Sequence, residues 1–206
     1  SLIAVDEAHC VSQWGHDFRP SYLKIADFIS KLDNRPVISA FTATATDAVK
    51  RDILNLLGLK NPFEITTGFD RKNLFFAVKR PQNKQKELLA IVSEHKNQSG
   101  IIYCATRKNV EKVSDFLNEN GYDSLIYHAG LSNEIRSKNQ DDFINDRCNL
   151  IVATNAFGMG IDKPDVRFVV HYNMPKNLEN YYQEAGRAGR DGENSDCVLL
   201  YSPGDV

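Results

Sequence analysis

Eight short apolar runs, rich in β-branched and aromatic residues, alternate with stretches whose apolar side chains return every three or four positions. No other feature limits the fold of this chain so tightly. Leu2–Val5, Val37–Phe41, Leu74–Val78, Gly100–Cys104, Leu125–His128, Leu150–Ala153, Phe168–Tyr172 and Cys197–Tyr201 read as strands. Between them, Val49, Ile53, Leu56 and Leu57 keep helical spacing up to Gly58, and Val110, Val113 and Leu117 keep it up to Gly121. Strands that alternate with amphipathic helices pack as parallel α/β sheets, so these helical positions are predicted core. Thr44 and Asp47 fit a capping box ahead of the first of these helices.

The periodic pattern breaks around Gly68 to Lys86, where Asp70-Arg71-Lys72-Asn73 and the basic stretch from Lys79 to Lys86 intervene. Two lobes are expected, 1–78 and 79–206. The first holds two or three strands, too few for a self-sufficient doubly wound sheet, whereas the second offers five with helices between them. The first lobe therefore reads as partial and the second as nearly complete. Residues 1–70 hold nine acids and seven bases, and the remainder eighteen of each, so no global field selects a polyanionic partner. Nucleic-acid binding would have to come from local placement of Lys and Arg. Cys10, Cys104, Cys148 and Cys197 are scattered with no Cys-x-x-Cys pair, which argues against a zinc site or a disulfide framework. With no leader and no spanning stretch of about 20 apolar residues, the expectation is a soluble intracellular protein, or one whose address signal was removed with a missing N-terminus.

Asp6-Glu7-Ala8-His9 follows the apolar run Leu2-Ile3-Ala4-Val5. That order puts two carboxylates at the carboxyl edge of a parallel sheet, where ligands of open α/β folds collect. Asp6 is suited to holding magnesium, mostly through water, and Glu7 to accepting the proton of an attacking water. The bland reading is a solvated acidic strand end. No Gly-x-x-x-x-Gly-Lys-Ser/Thr loop precedes the pair, so the usual phosphate cradle is missing from these residues. Near the other end stands Gln183-Glu184-Ala185-Gly186-Arg187-Ala188-Gly189-Arg190. If residues 183–190 are helical, Gln183, Arg187 and Arg190 share one face that could meet phosphates. Gly186 and Gly189 each cost about 1 kcal/mol relative to Ala in a helix interior, which suggests close approach to another surface.

Three further segments carry polar groups out of strands. The hydroxyls of Thr42 and Thr44 could bond His9 or report the nucleotide state, or serve only as a strand end and cap. Thr154, with Gly158 and Gly160 after it, suits a backbone that approaches a sugar-phosphate chain, or a plain glycine-rich loop. Trp14, His16, Phe18 and Arg19 follow the acidic motif directly and suit stacking on unpaired bases, at about 1–3 kcal/mol per base. Core burial is the alternative; the residues alone favour it for Phe18 and leave Trp14 open.

In order, Val5 to Cys10 with Trp14 to Pro20, the Thr42-Ala43-Thr44-Ala45 segment, Ile101-Ile102-Tyr103-Cys104, Tyr127-His128-Ala129-Gly130-Leu131, Ala156 to Ile161 and the final arginine motif resemble RecQ-type DNA helicases. The resemblance covers nearly the whole chain. It implies RecA-like lobes of a P-loop NTPase motor, with ATP and magnesium between them, moving 3′ to 5′ on DNA during repair and recombination. By motif match, Asp6, Glu7, His9, Asp162, Arg187 and Arg190 would surround the nucleotide, with Gln183 sensing their arrangement. Asp6 and Glu7 would serve the magnesium. Trp14, His16, Phe18 and Arg19 would couple DNA to hydrolysis together with Thr42 and Thr44, and His128 and Thr154 would contact the DNA backbone.

Phe69-Asp70-Arg71-Lys72-Asn73 departs from the family's Phe-Asp-Arg-Pro-Asn, and Asp162 stands where Asn is common in bacterial members. The resemblance further implies that zinc belongs to a region beyond this chain, and that the chain alone does not hydrolyse ATP. The compartment would be the cytoplasm at the nucleoid, or the nucleus of a eukaryote. A binding module without catalysis and an RNA-remodelling relative are the competing classes.

Overall fold

The structure, a computed structural model, describes residues 1–15, 18–43, 45–66, 70–158 and 161–205. The chain forms two compact units, Ser1–Phe69 and Asp70–Val206. In the first, β1 (Leu2–Val5) pairs in parallel with β2 (Val37–Ala40), Val5 opposite Ala40. A 3₁₀ turn at Ala8–Val11 leaves β1, α1 spans Leu23–Ser30, and α2 spans Asp47–Leu56. Val5, Ala8 and Val11 pack with Val49, Ile53 and Leu57 of the α2 region in one buried cluster. Leu56, expected in that stripe, is exposed at the end of α2. The helix is capped by Thr46, whose extended backbone lets its hydroxyl accept the Val49 N–H. Asp47 is therefore the first helical residue, where its charge meets the helix dipole, and the expected capping box is not formed. Thr44 lies outside the described residues.

The second unit is a six-stranded parallel sheet: β3 (Leu74–Lys79), β4 (Ser99–Tyr103), β5 (Ser124–Tyr127), β6 (Leu150–Ala153), β7 (Val166–His171) and β8 (Ser195–Leu200), in the spatial order β3-β8-β7-β4-β6-β5. Every strand of β4 to β8 lies within two residues of its expected bounds. Because β3 pairs along all six residues with β8, it belongs to this unit. The division therefore falls at the start of the Gly68 to Lys86 break, not at 78/79.

Four helices flank the sheet: α3 (Lys84–Glu94), α4 (Arg107–Glu119), α5 (Asn133–Ile144) and α6 (Leu178–Ala185). The pleat of β4 separates the two cores. Ile102 joins Leu88, Ile91, Val110, Val113 and Leu117 of α3 and α4, while Ile101 and Tyr103 join Phe143 of α5 and Ala185 of α6. Asn83, Thr106, Ser132 and Asn177 each start a helix by accepting a backbone N–H with the side chain. Since all strands run the same way, their carboxyl ends and these helix starts share one edge of the sheet. Among the described residues, no helix is long and apolar enough to cross a membrane.

Candidate functional site

In the first unit the polypeptide bends sharply where β1 ends. The Glu7 N–H donates to Asp6 Oδ1 at 2.8 Å, and Glu7 itself is left-handed at φ 48°, ψ 42°. A non-glycine residue in that region costs on the order of 1–3 kcal/mol, so the surrounding structure holds it there. Two backbone bonds do so: Phe41 N to Val5 O and Ala8 N to Phe41 O, both 2.8 Å. The bend turns the Glu7 carboxylate back onto His9, with Oε2 3.3 Å from Nδ1. The same ring nitrogen lies 3.0 Å from Thr42 Oγ1 at the end of β2. His9 is buried, whereas Asp6 stays exposed and the Glu7 side chain is partly so. Two hard carboxylates at a parallel strand end, one open to water, form a donor set that fits a hydrated magnesium ion.

Ser12 anchors the aromatic segment that follows. Its hydroxyl donates to Asp52 Oδ2 at 2.6 Å and accepts the Trp14 N–H at 3.1 Å. Gly15 is required there, since a Cβ would stand 2.4 Å from the His9 carbonyl oxygen. Trp14 projects with 80% of its surface exposed, while Phe18 and Arg19 are half-buried. Phe18 is thus not a core residue: the buried cluster closes without it through Val11, Val49 and Ile53. His16 lies outside the described residues.

In the second unit α6 stops at Ala185, and Arg187 and Arg190 sit in the turns that follow, not on a continued helical face. Gly189 ends any helical continuation at φ 53°, and a Cβ there would stand 2.5 Å from Asn73 Nδ2. The close approach inferred from the two glycines is therefore present at Gly189, supplied by the segment before β3. Arg71 Nη2 donates to Gly189 O at 2.6 Å and Asn73 Nδ2 to the same oxygen at 2.8 Å. Arg187 Nη1 donates to Gly158 O at 2.5 Å. Arg190 Nη1 reaches Ile161 O at 2.9 Å and Asp162 Oδ1 at 3.1 Å. Gln183 is half-buried on the last turn of α6.

Along the strand ends, Thr154 follows β6 half-buried, its hydroxyl accepting the Ala156 N–H at 3.4 Å. His128, after β5, is buried at 3% exposure. Its Nδ1 accepts the Gly130 N–H at 3.2 Å, which places the proton on Nε2, 3.6 Å from Glu111 Oε1. The ring faces inward here, so the surface at this strand end is made by neighbouring groups. A Cβ on Gly130 would lie 3.1 Å from Arg107 Nη1, which sets that guanidinium over the β5 loop and beside the start of α4. Sequence reasoning passed over Thr106 and Arg107, though a capping hydroxyl and a base directly after a strand are a readable signal. Arg71 and Asn73 gave no such signal, because they meet the arginine turn from over a hundred residues away.

Residues 83–192 match the family described as the helicase conserved C-terminal domain. The chain is 49% identical over 205 residues to the ATP-dependent DNA helicase RecQ of Bacillus subtilis, covering 100% of this chain and 35% of that protein. To the RecQ-like DNA helicase BLM of Xenopus laevis it is 50% identical over 206 residues, covering 98% of this chain and 15% of that one. It thus spans about a third of the length of the bacterial relative. Among solved structures, Saccharomyces cerevisiae Dbp5 bound to RNA and ADP BeF3 superposes with a TM-score of 0.78 at 25% identity, covering 98% of this chain and 53% of that chain.

Proposed function

Because the chain belongs to the helicase conserved C-terminal domain family, and within it to the RecQ type, we propose that it supplies the second motor lobe and the end of the first in an ATP-dependent DNA helicase. The observation that carries this reading is the pairing of two chemistries in one chain: a carboxylate pair at the end of β1, with Asp6 exposed and Glu7 turned onto His9, and Arg187 with no carboxylate partner among the described residues. Asp6 and Glu7 would hold the magnesium, which when bound neutralises phosphate charge and orders water. Glu7 takes the proton of the attacking water, and the His9 contact fixes its direction. Arg187 and Arg190 bring positive charge to the nucleotide phosphates, Asp162 orients Arg190, and Gln183 senses their arrangement. Thr42, bonded to His9, ties the end of β2 to the same carboxylate.

Trp14 offers an exposed face for an unpaired base, and the half-buried Phe18 and Arg19 follow it in the chain. The strand-end loops carrying Thr154, His128, Gly130 and the first turn of α4 form the backbone-binding edge. The reading extends to 3′ to 5′ unwinding in repair and recombination, in the nucleoid or the nucleus. The chain by itself, with no phosphate loop among its residues, hydrolyses no ATP. The Dbp5 likeness favours RNA as the second reading.

The test is DNA-stimulated ATP hydrolysis by the complete protein, with unwinding of a duplex bearing a 3′ tail. The reading expects both activities and no turnover by the 206-residue chain above its E7Q variant. Hydrolysis stimulated by RNA and not by DNA would install the second reading. No nucleic-acid stimulation at all would leave the chain a binding module.

A further inference from the structure

Two consecutive carbonyls in the loop leaving β6 are taken by two side chains from different elements. Tyr103, the last residue of β4, donates its phenol to Phe157 O at 3.0 Å, and Arg187 Nη1 donates to Gly158 O at 2.5 Å. Gly158 has room for nothing more: a Cβ would stand 2.0 Å from Arg187 Nη2 and 2.5 Å from Cζ. A glycine that reads as a surface for sugar-phosphate is here the floor under a guanidinium. From the other side, His171 Nε2 bonds Glu184 Oε2 at 2.9 Å, deep in the unit, and the His171 ring stacks on Tyr103 at 5.5 Å. Glu184 is three residues before Arg187, so the buried pair braces the end of α6 against β7 where the arginine turn begins.

We propose that Tyr103 and Gly158 are positioning residues for Arg187: together they form a seat that presents its guanidinium to a phosphate. Burial pushes the Tyr103 phenol above its ordinary value, while the Arg187 charge beside it pulls the other way. The phenol thus keeps its proton and donates to the loop. Arg187 Nε is buried without a hydrogen-bond partner among the described residues, so the guanidinium is fixed by shape and by one carbonyl dipole, with no counter-charge to displace. That the seated arginine serves a nucleotide phosphate rests on the function proposed above; the seat itself does not.

The first experiment reads the seat without activity. In ¹⁵N-arginine spectra of the 206-residue chain, the Arg187 Nε–H resonance is identified by its loss in R187A. G158A is expected to displace it, because the added methyl meets only the far end of a flexible side chain, and the fold survives. Y103F, which adds no atom, is expected to displace it too and keeps the test alive should G158A fail to fold. The Arg167 Nε–H, which donates to Asp165 O at 3.1 Å, is the internal control and stays. An Arg187 resonance unmoved in Y103F, or in a folded G158A, overturns the seat.

The second experiment uses the complete protein. Each variant is expected to lower kcat for DNA-stimulated ATP hydrolysis roughly tenfold to a hundredfold, with KM for ATP held within about twofold. Neither is expected to lower kcat further in an R187A background. Losses that multiply with R187A would mean that the two residues act elsewhere and would overturn the proposal. A moved resonance with R187A at wild-type kcat would instead keep the seat and remove the phosphate role of Arg187.

Discussion

Two arginines of the second unit, Arg167 and Arg187, are held in opposite ways. At the strand starts, Lys163 is buried with its ammonium 2.6 Å from Asp146 and 3.0 Å from Asp165, and its charge also lies over the Phe143 ring. Beside it Arg167 reaches both carboxylate oxygens of Asp191, at 2.7 and 2.6 Å, and holds that carboxyl below its usual range. Around this open cleft of about 760 Å³, each base has been given its acid. In the turns after α6, Arg187 meets a carbonyl dipole, and among the described residues no acid pairs with it. A cation clamped by buried or bidentate carboxylate contacts has less to gain from an arriving phosphate than one held by dipoles and packing alone. Two arginines of one unit thus differ in their partners, a carboxylate for Arg167 and a carbonyl for Arg187.

The comparison can be pressed first through the Asp6 and Glu7 carboxylates at the end of β1. E7Q keeps the shape of the strained bend and removes the proton acceptor, so DNA-stimulated ATP hydrolysis by the complete protein should fall by about 10²- to 10⁴-fold in kcat. ATP binding followed by equilibrium titration should change little. Next in size is W14A. Its indole is 80% exposed and contributes nothing to the buried cluster, so Tm should hold while affinity for single-stranded DNA weakens by about 1–3 kcal/mol. Quenching of this single Trp on DNA addition is the direct readout.

Beside Arg167, K163A should leave ATP hydrolysis intact and destabilise the second unit by roughly 1–2 kcal/mol in denaturant titrations, because its two acids are half-exposed and rehydrate. The smallest effect is the acid limb of stability. Burial alone would raise the Asp205 carboxyl, but the Lys84 ammonium at 2.5 Å, the Asn173 amide and the Ser202 N–H outweigh it, and the group is lowered. A lowered native value stabilises above the ordinary carboxyl range, and that stability is lost as pH falls through the native value. Unfolding followed between pH 2 and 5 should therefore show a shallower acid loss in D205N than in the parent chain.

Much of this layout is visible in the residues. Short apolar runs locate β1 and β6 to the residue; for β6 the reason is that a fully buried parallel strand has few ways to read otherwise. Asp6 and Glu7 were legible because a strand end fixes where they lie. Less legible was the arginine motif, where helical spacing suggests one face and Gly189 breaks it with a left-handed turn. Leu74–Val78 falls on the wrong side of the expected division, since its partner β8 lies 121 residues further on and no local pattern encodes that pairing. The seat under Arg187 was illegible for the same reason: Tyr103, Gly158 and Arg187 belong to three elements, and only the sheet order brings them together.

The contrast between Arg187 and Arg167 is tested most directly by R187A and R167A, assayed side by side in the complete protein for DNA-stimulated kcat and for Tm. The account predicts that R187A lowers kcat on the order of a thousandfold with Tm nearly unchanged, and that R167A lowers Tm by a few degrees with kcat nearly unchanged. An R187A protein that hydrolyses ATP at close to the parent rate, or an R167A protein that folds well and does not, would contradict it.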